Sequence, residues 1–175
     1  ISFFSRIDIN NRELCDHLFN QLNIDENKFW EVCYSLHEYE LVDIFEHQVV
    51  KISDQIFATY IFYKTVIENG ILNFNFFLDN YLNYENRITD TIFPVLKTFD
   101  YKHIEKKLKP TIQKKWLAIE KEGGDENSIK FLKLFWFYLS PQVFSFLKKR
   151  IDKQEVTKNP EYKFSYELNE FSFGT

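Results

Sequence analysis

Between Arg12 and Asn69 the chain reads RELCDHLFNQL (12–22), NID (23–25), ENKFWEVCYSLHEYE (26–40), LVDIF (41–45), EHQ (46–48), VVKI (49–52) and SDQIFATYIFYKTVIEN (53–69). Leu14, Cys15, Leu18, Phe19 and Leu22 recur at helical spacing and define one apolar stripe. Asn23-Ile24-Asp25 is a three-residue turn, with Asp25 placed to cap the next helix. That helix buries Phe29, Val32, Cys33 and Leu36, and Trp30 and Tyr34 widen the face. The period then changes to that of strands. Leu41–Phe45 and Val49–Ile52 are β-rich runs joined by Glu46-His47-Gln48, a hairpin-length connection. Ser53 or Asp54 caps a helix that runs to Asn69 and is apolar nearly all round, which predicts burial on every side. Asn69-Gly70 ends it. Helix, turn, helix, hairpin and long helix is the order of a winged helix.

Working outward, Ile1–Ile7 predicts the end of a helix, and Asp8–Asn11 offers N-cap candidates. Beyond Gly70 the pattern is helical: Phe74, Phe77, Leu78, Tyr81 and Leu82, then Ile88, Ile92, Val95, Leu96 and Phe99, with a kink expected at Pro94. Tyr101–Leu108 and Pro110–Glu122 are two helices, or one bent at Pro110. Gly123-Gly124 is the clearest break. A helix follows over Asp125–Leu139, and Ser140-Pro141 fits the start of another reaching about Lys153. Past Glu155, Tyr162, Phe164, Tyr166 and Leu168 alternate with polar residues as in a strand. The expected fold is mainly α. It comprises a winged-helix-like N-terminal module with one small β-hairpin (residues 1–70), an antiparallel helical bundle or array (71–154), and a tail (155–175).

Composition bounds the function classes. The chain has 175 residues, 45% of them hydrophobic and 27% charged, the balance of an ordinary globular protein. Its 20 Phe and 10 Tyr accompany a scarcity of Gly and Pro, which reads as a bias toward A/T-rich codons with the rings serving as core. Because it contains no Met and opens on Ile1, the expectation is an excised part of a longer protein. Cys15 and Cys33 fall on apolar helix faces, as buried thiols in a reducing, cytoplasmic setting would. The densest apolar run, Phe131–Leu139, is far shorter than the roughly 20 residues of a membrane span.

Charge tests the winged-helix shape against its usual ligand. Residues 1–70 hold twelve acids and five bases (Arg6, Arg12, Lys28, Lys51 and Lys64), a net charge of −7. DNA binding rests on Lys and Arg displacing counterions from phosphate. The helix placed to read bases instead carries Glu26, Glu31, Glu38 and Glu40, with Lys28 nearly alone. Groove binding is disfavoured, and a protein partner or an intramolecular contact is expected. The second half is locally basic, with Lys102, Lys106, Lys107, Lys109, Lys114 and Lys115, then Lys148, Lys149, Arg150 and Lys153. These read as solvated helix faces or as a complement to the acidic half. Cys33 and His37 are one helical turn apart, but Cys15 and His17 diverge on their helix. His47 and His103 have no nucleophile-and-acid arrangement that spacing supports. With four glycines the chain holds no phosphate-cradling loop. No catalytic, cofactor-binding or metal-ligating residue is assigned.

The runs Phe29-Trp30, Leu36-His37-Glu38, Leu41–Ile44, Val49–Gln55 and Tyr60–Tyr63 carry a resemblance. They are similar to the region just after the nucleotide-binding core of bacterial P-loop ATPases of the STAND class. In that class an AAA/NACHT-type ATPase is followed by a winged helix and then a long helical array. Ile1–Asp8 resembles the helix entering that winged helix, and the likeness is best over residues 1–75. The resemblance implies a non-catalytic regulatory module that relays nucleotide state to a helical sensor by protein contacts. Its partner would be the parent's own ATPase domain or another protein, with no cofactor in this stretch. The competing expectation is a free-standing winged-helix nucleic-acid binder that uses the basic helices after residue 101.

Overall fold

The computed structural model describes residues 1–153. In chain order these form β1 (Arg6–Asp8), α1 (Arg12–Leu22), α2 (Glu26–Glu38), β2 (Val42–Phe45), β3 (Val49–Ile52) and α3 (Gln55–Phe62). A π-helical turn (Tyr63–Glu68) prolongs α3, and α4 (Phe74–Asn80), α5 (Glu85–Thr98), α6 (Tyr101–Glu122) and α7 (Asp125–Lys153) follow. The fold is mainly helical with one three-stranded antiparallel sheet, ordered β1-β3-β2.

Local chemistry sets the boundaries of the first elements. Asn11 caps α1, its side chain accepting from the Leu14 N–H at 3.3 Å. Asn23 ends α1 in the left-handed region (φ 51°), and the Ile24 N–H closes back onto the Phe19 carbonyl at 2.9 Å. Asp25 caps α2 through the Lys28 N–H at 2.9 Å, and Asp54 rather than Ser53 caps α3 through the Phe57 N–H at 2.6 Å. The hairpin turns on Glu46 and His47, at φ 49° and 54°, and closes with the Gln48 N–H on the Phe45 carbonyl at 2.9 Å. Two successive left-handed residues match the twist of the flanking strands even without an Asn-Gly pair. The register pairs Val42 with Ile52 and Ile44 with Val50.

Two expectations are corrected. Ile1–Ile7 is not the end of a helix: after a turn, Arg6–Asp8 is a strand, with Ile7 opposite Val50. The single hairpin is therefore a three-stranded sheet. A three-residue strand is too short to display a period, whereas β3 has a second edge that is otherwise unpaired. The helix after Asp54 is not buried all round. Ala58, Thr59, Phe62, Val66 and Ile67 are buried, but Ile56 is 75% exposed and Tyr60 is exposed. Apolar composition carried no directional information there, and the widened π turn from Tyr63 changes the face that follows. Of the two alternatives for Tyr101–Glu122, the structure has the single helix, with Pro110 inside it. The strand pattern expected past Glu155 lies outside the described residues.

The element α7 bends back on itself. Asp125 and Arg150 would stand about 37 Å apart on a straight helix at 1.5 Å per residue. They form an ion pair at 3.3 Å. The reversal falls at Phe135 and Leu139, whose backbone angles leave the helical region (ψ 20° and 23°). The arm before it and the arm after it are thus antiparallel, close to the break expected at Ser140-Pro141.

The chain forms two compact units, each with its own core. The first comprises Ile1–Phe74 and Asn86–Ile104. Its core joins Ile7 and Val50 of the sheet to Cys15, Leu18 and Phe19 of α1, and Phe62, Ile92 and Val95 are buried as well. The second comprises Asn75–Glu85 and, of the described residues, 105–153. It buries Leu108, Ile112 and Trp116 of α6 with Phe131, Leu132, Phe135 and Leu139 of α7. No described helix is long and apolar enough to cross a membrane.

Candidate functional site

The surface of α2 and its hairpin has the most distinctive chemistry in the first unit. The Trp30 and Tyr34 rings lie 5.9 Å apart, one turn from each other on α2, and Tyr34 and His47 rings are again 5.9 Å apart. The Tyr34 hydroxyl is 3.2 Å from His47 Nδ1, which ties the helix to the hairpin tip. Phe29 continues the row beneath, 5.6 Å from Trp30. Glu31 and Glu38 stand three residues before and four after Tyr34, on the same side of α2, and Glu46 adjoins His47. All three are exposed. The nearby bases are already engaged: Lys28 pairs with Glu31 at 2.9 Å, and Arg12 with Glu26 at 3.0 Å. Glu31 and Glu38, two of the four glutamates of the expected reading helix, thus lie on this face with Glu46 beside them.

A second cluster was illegible in the sequence. The Tyr63 hydroxyl donates to Glu68 Oε2 at 2.9 Å, and His103 Nε2 lies 3.0 Å from the same oxygen. Tyr63 also stacks on Phe99, with ring centres 3.9 Å apart and planes 8° from parallel. The Tyr63 hydrogen bond, and then that of His103, hold the Glu68 carboxyl below its ordinary range. Nothing nucleophilic adjoins His103 in this cluster, and its geometry is that of a clamp on the π-helical turn. Only the widened spacing of that turn lets residues 63 and 68 meet.

The remaining candidates disperse. Cys15 donates from Sγ to the Asp8 carbonyl at 3.2 Å, and His37 Nδ1 sits 2.8 Å from the Val42 carbonyl. Cys33 is buried on the face of α2 away from Glu31 and Glu38, and no group of three metal-binding side chains occurs among the described residues. Burial raises the Cys33 thiol to about 11 and also raises that of Cys15. Cys33 is thus protonated while folded where an unfolded thiol would ionise. Its contribution to stability is complete below pH 9 and is lost as pH rises from 9 to about 11. We expect neither thiol to react with Ellman's reagent at pH 8 until denaturant is added, when both should. Rapid native labelling would contradict their burial.

The basic residues do not make one surface. On α6, Lys106 and Lys109 lie about a third of a turn round the axis from Lys107 and Lys114. Lys109 pairs with Glu105 at 2.8 Å, Lys115 with Asp79 at 2.7 Å, and Lys149 with Glu120 at 3.1 Å. Lys109, Lys115 and Lys149, three of the nine lysines in the two basic clusters, are thereby answered inside the chain. In the second unit a cleft of about 410 Å³ lies between α6 and the later arm of α7, with Trp116, Leu117 and Pro141 facing Gln113, Gln142 and Ser145. Gln142 Oε1 has no hydrogen-bond partner there.

Compared with protein-family models, curated proteins and solved structures, the chain matches none.

Proposed function

We propose that the chain is a non-catalytic regulatory and interaction segment of a larger bacterial P-loop ATPase of the STAND type. Residues 1–70 act as a winged-helix-like module, and they pass nucleotide state to the helical residues 71–154 through protein contacts. The observation that supports this reading is the sheet order β1-β3-β2 with α1 and α2 inserted between β1 and β2. That order is compatible with a winged helix, and the helix that would read bases in one is acidic in this module. A duplex would meet Glu31 and Glu38 where it needs Lys or Arg, so the helix suits a protein surface better than a groove.

The gene sequence upstream of Ile1 tests the proposal directly. A Walker A motif there supports it, and an independent start codon immediately before Ile1 removes it. Titration of labelled duplex DNA at two salt concentrations tests the nucleic-acid alternative. Binding at micromolar protein that weakens steeply with salt would favour that alternative over ours.

A further inference from the structure

We propose that the Trp30–Tyr34–His47 ledge is a docking surface for a basic protein segment, one that lays arginine or lysine side chains across the ring faces. The inference rests on the reading of this module as a protein-contact element and names the chemistry of the contact. Three observations carry it.

The rings form a continuous, partly exposed row. Centre-to-centre steps of 5.9 Å and 5.9 Å span α2 and the hairpin tip, and Tyr34 is 40% exposed. The Tyr34 hydroxyl within hydrogen-bond distance of His47 Nδ1 holds the helix ring and the hairpin ring side by side. A planar guanidinium spans such a row better than an aliphatic side chain does, because it stacks and carries charge together.

The sign around the rings is negative. Glu31, Glu38 and Glu46 border the ledge, and Lys28 neutralises only Glu31. An incoming cation gains from both the ring faces and the carboxylates. A single-stranded nucleic acid would gain the stacking but bring its phosphates against the same carboxylates.

Elsewhere in this unit rings already receive cations from the chain. Lys51 Nζ lies 5.9 Å from the centre of Phe45 on the same hairpin, and Lys64 Nζ lies 5.9 Å from that of Tyr60. Among the described residues, no lysine or arginine occupies the faces of Trp30 or Tyr34. The ledge is therefore an aromatic row on which a cation would come from outside the described residues.

The test is fluorescence anisotropy of a labelled octapeptide of alternating Arg and Ser against the full chain, with an alternating Gln and Ser peptide and oligo-dT as the other probes. The expected result is saturable binding of the Arg peptide alone. Tyr34→Leu keeps the charge unchanged and should weaken binding about fivefold, as one exposed cation–π contact would. Glu38→Gln should weaken it by a similar factor, whereas Glu122→Gln, on α6 in the second unit, should not. Circular dichroism confirms that each variant is folded, and Tyr34→Phe, which keeps the ring, should retain most of the affinity. Equal binding of the Gln peptide, preferential binding of oligo-dT, or indifference to Tyr34→Leu would each overturn the proposal. A Walker A motif upstream combined with no Arg-peptide binding would remove this inference and leave the regulatory reading standing.

Discussion

Ile7→Asp should unfold the first unit at 25 °C. Ile7 is completely buried in β1, opposite Val50, which is equally buried. Removing a buried isoleucine side chain costs about 2–5 kcal/mol through lost transfer energy and the cavity left behind. An aspartate there would put a carboxyl group into the apolar core, a further penalty of several kcal/mol unless it is protonated. Together these approach the roughly 5–15 kcal/mol that a domain has in total. Arg6→Ala, at the exposed neighbour, should change stability by no more than about 0.5 kcal/mol, and Ile7→Val should cost about 1 kcal/mol. Urea unfolding followed by circular dichroism measures all three. The contrast between positions 6 and 7 is the signature of a strand with one face in the core. Similar, small effects at both would mean that this segment is not packed as β1.

What the sequence made legible follows from how locally each feature is encoded. Asp25 and Asp54 announce their helices because a cap acts over three residues, and both do cap, through the Lys28 and Phe57 amides. Glu46-His47-Gln48 is a turn for the same reason. β1 was hidden because its pairing with β3 joins Ile7 to Val50, 43 residues apart, and three residues carry too little alternation to reveal it. Ile56 and Tyr60 were read as buried since an apolar residue records a preference for burial but not whether anything is there to cover it. The acidity of α2 was plain from the sequence. Its arrangement around Trp30 and Tyr34 was not, because the partner that fixes Tyr34 is His47, on a different element. The Glu68 clamp is hidden on the same principle: the acid that meets His103 lies 35 residues away in sequence, and only the fold brings the two together.

The acidic face and the ion-paired lysines together weigh on what the module does. A nucleic-acid binder leaves its bases free to replace counterions, and here Lys109, Lys115 and Lys149 are spent on Glu105, Asp79 and Glu120. Exposed pairs of this kind contribute little stability, about 0–1 kcal/mol each, so their main effect is on the field the surface presents. On our proposal, a field divided in this way suits a protein contact better than a polyanion.

The second large effect is expected at Trp116. It is 3% exposed, stacks on Phe131 with ring centres 6.5 Å apart, and meets the edge of Phe146 at 6.4 Å. One side chain of α6 thus touches both arms of α7, on either side of the reversal at Phe135–Leu139. Trp116→Ala should destabilise the second unit by about 3–5 kcal/mol, since it removes a large ring and opens the adjoining cleft into the core. The Glu120–Lys149 pair, between α6 and the later arm of α7, and the Asp125–Arg150 pair, between the two arms of α7, each have a well-exposed member and cannot compensate. Trp116→Phe keeps a ring between the arms and should cost less, about 1–2 kcal/mol. Hydrogen exchange resolved by segment separates the outcomes. Protection should fall along α6 after residue 105 and along α7, while α1 and α2 of the first unit retain theirs. A loss under 1 kcal/mol for Trp116→Ala would show that the arms of α7 are held by something other than this ring. Uniform loss of protection throughout residues 1–153 would show instead that the two units unfold as one.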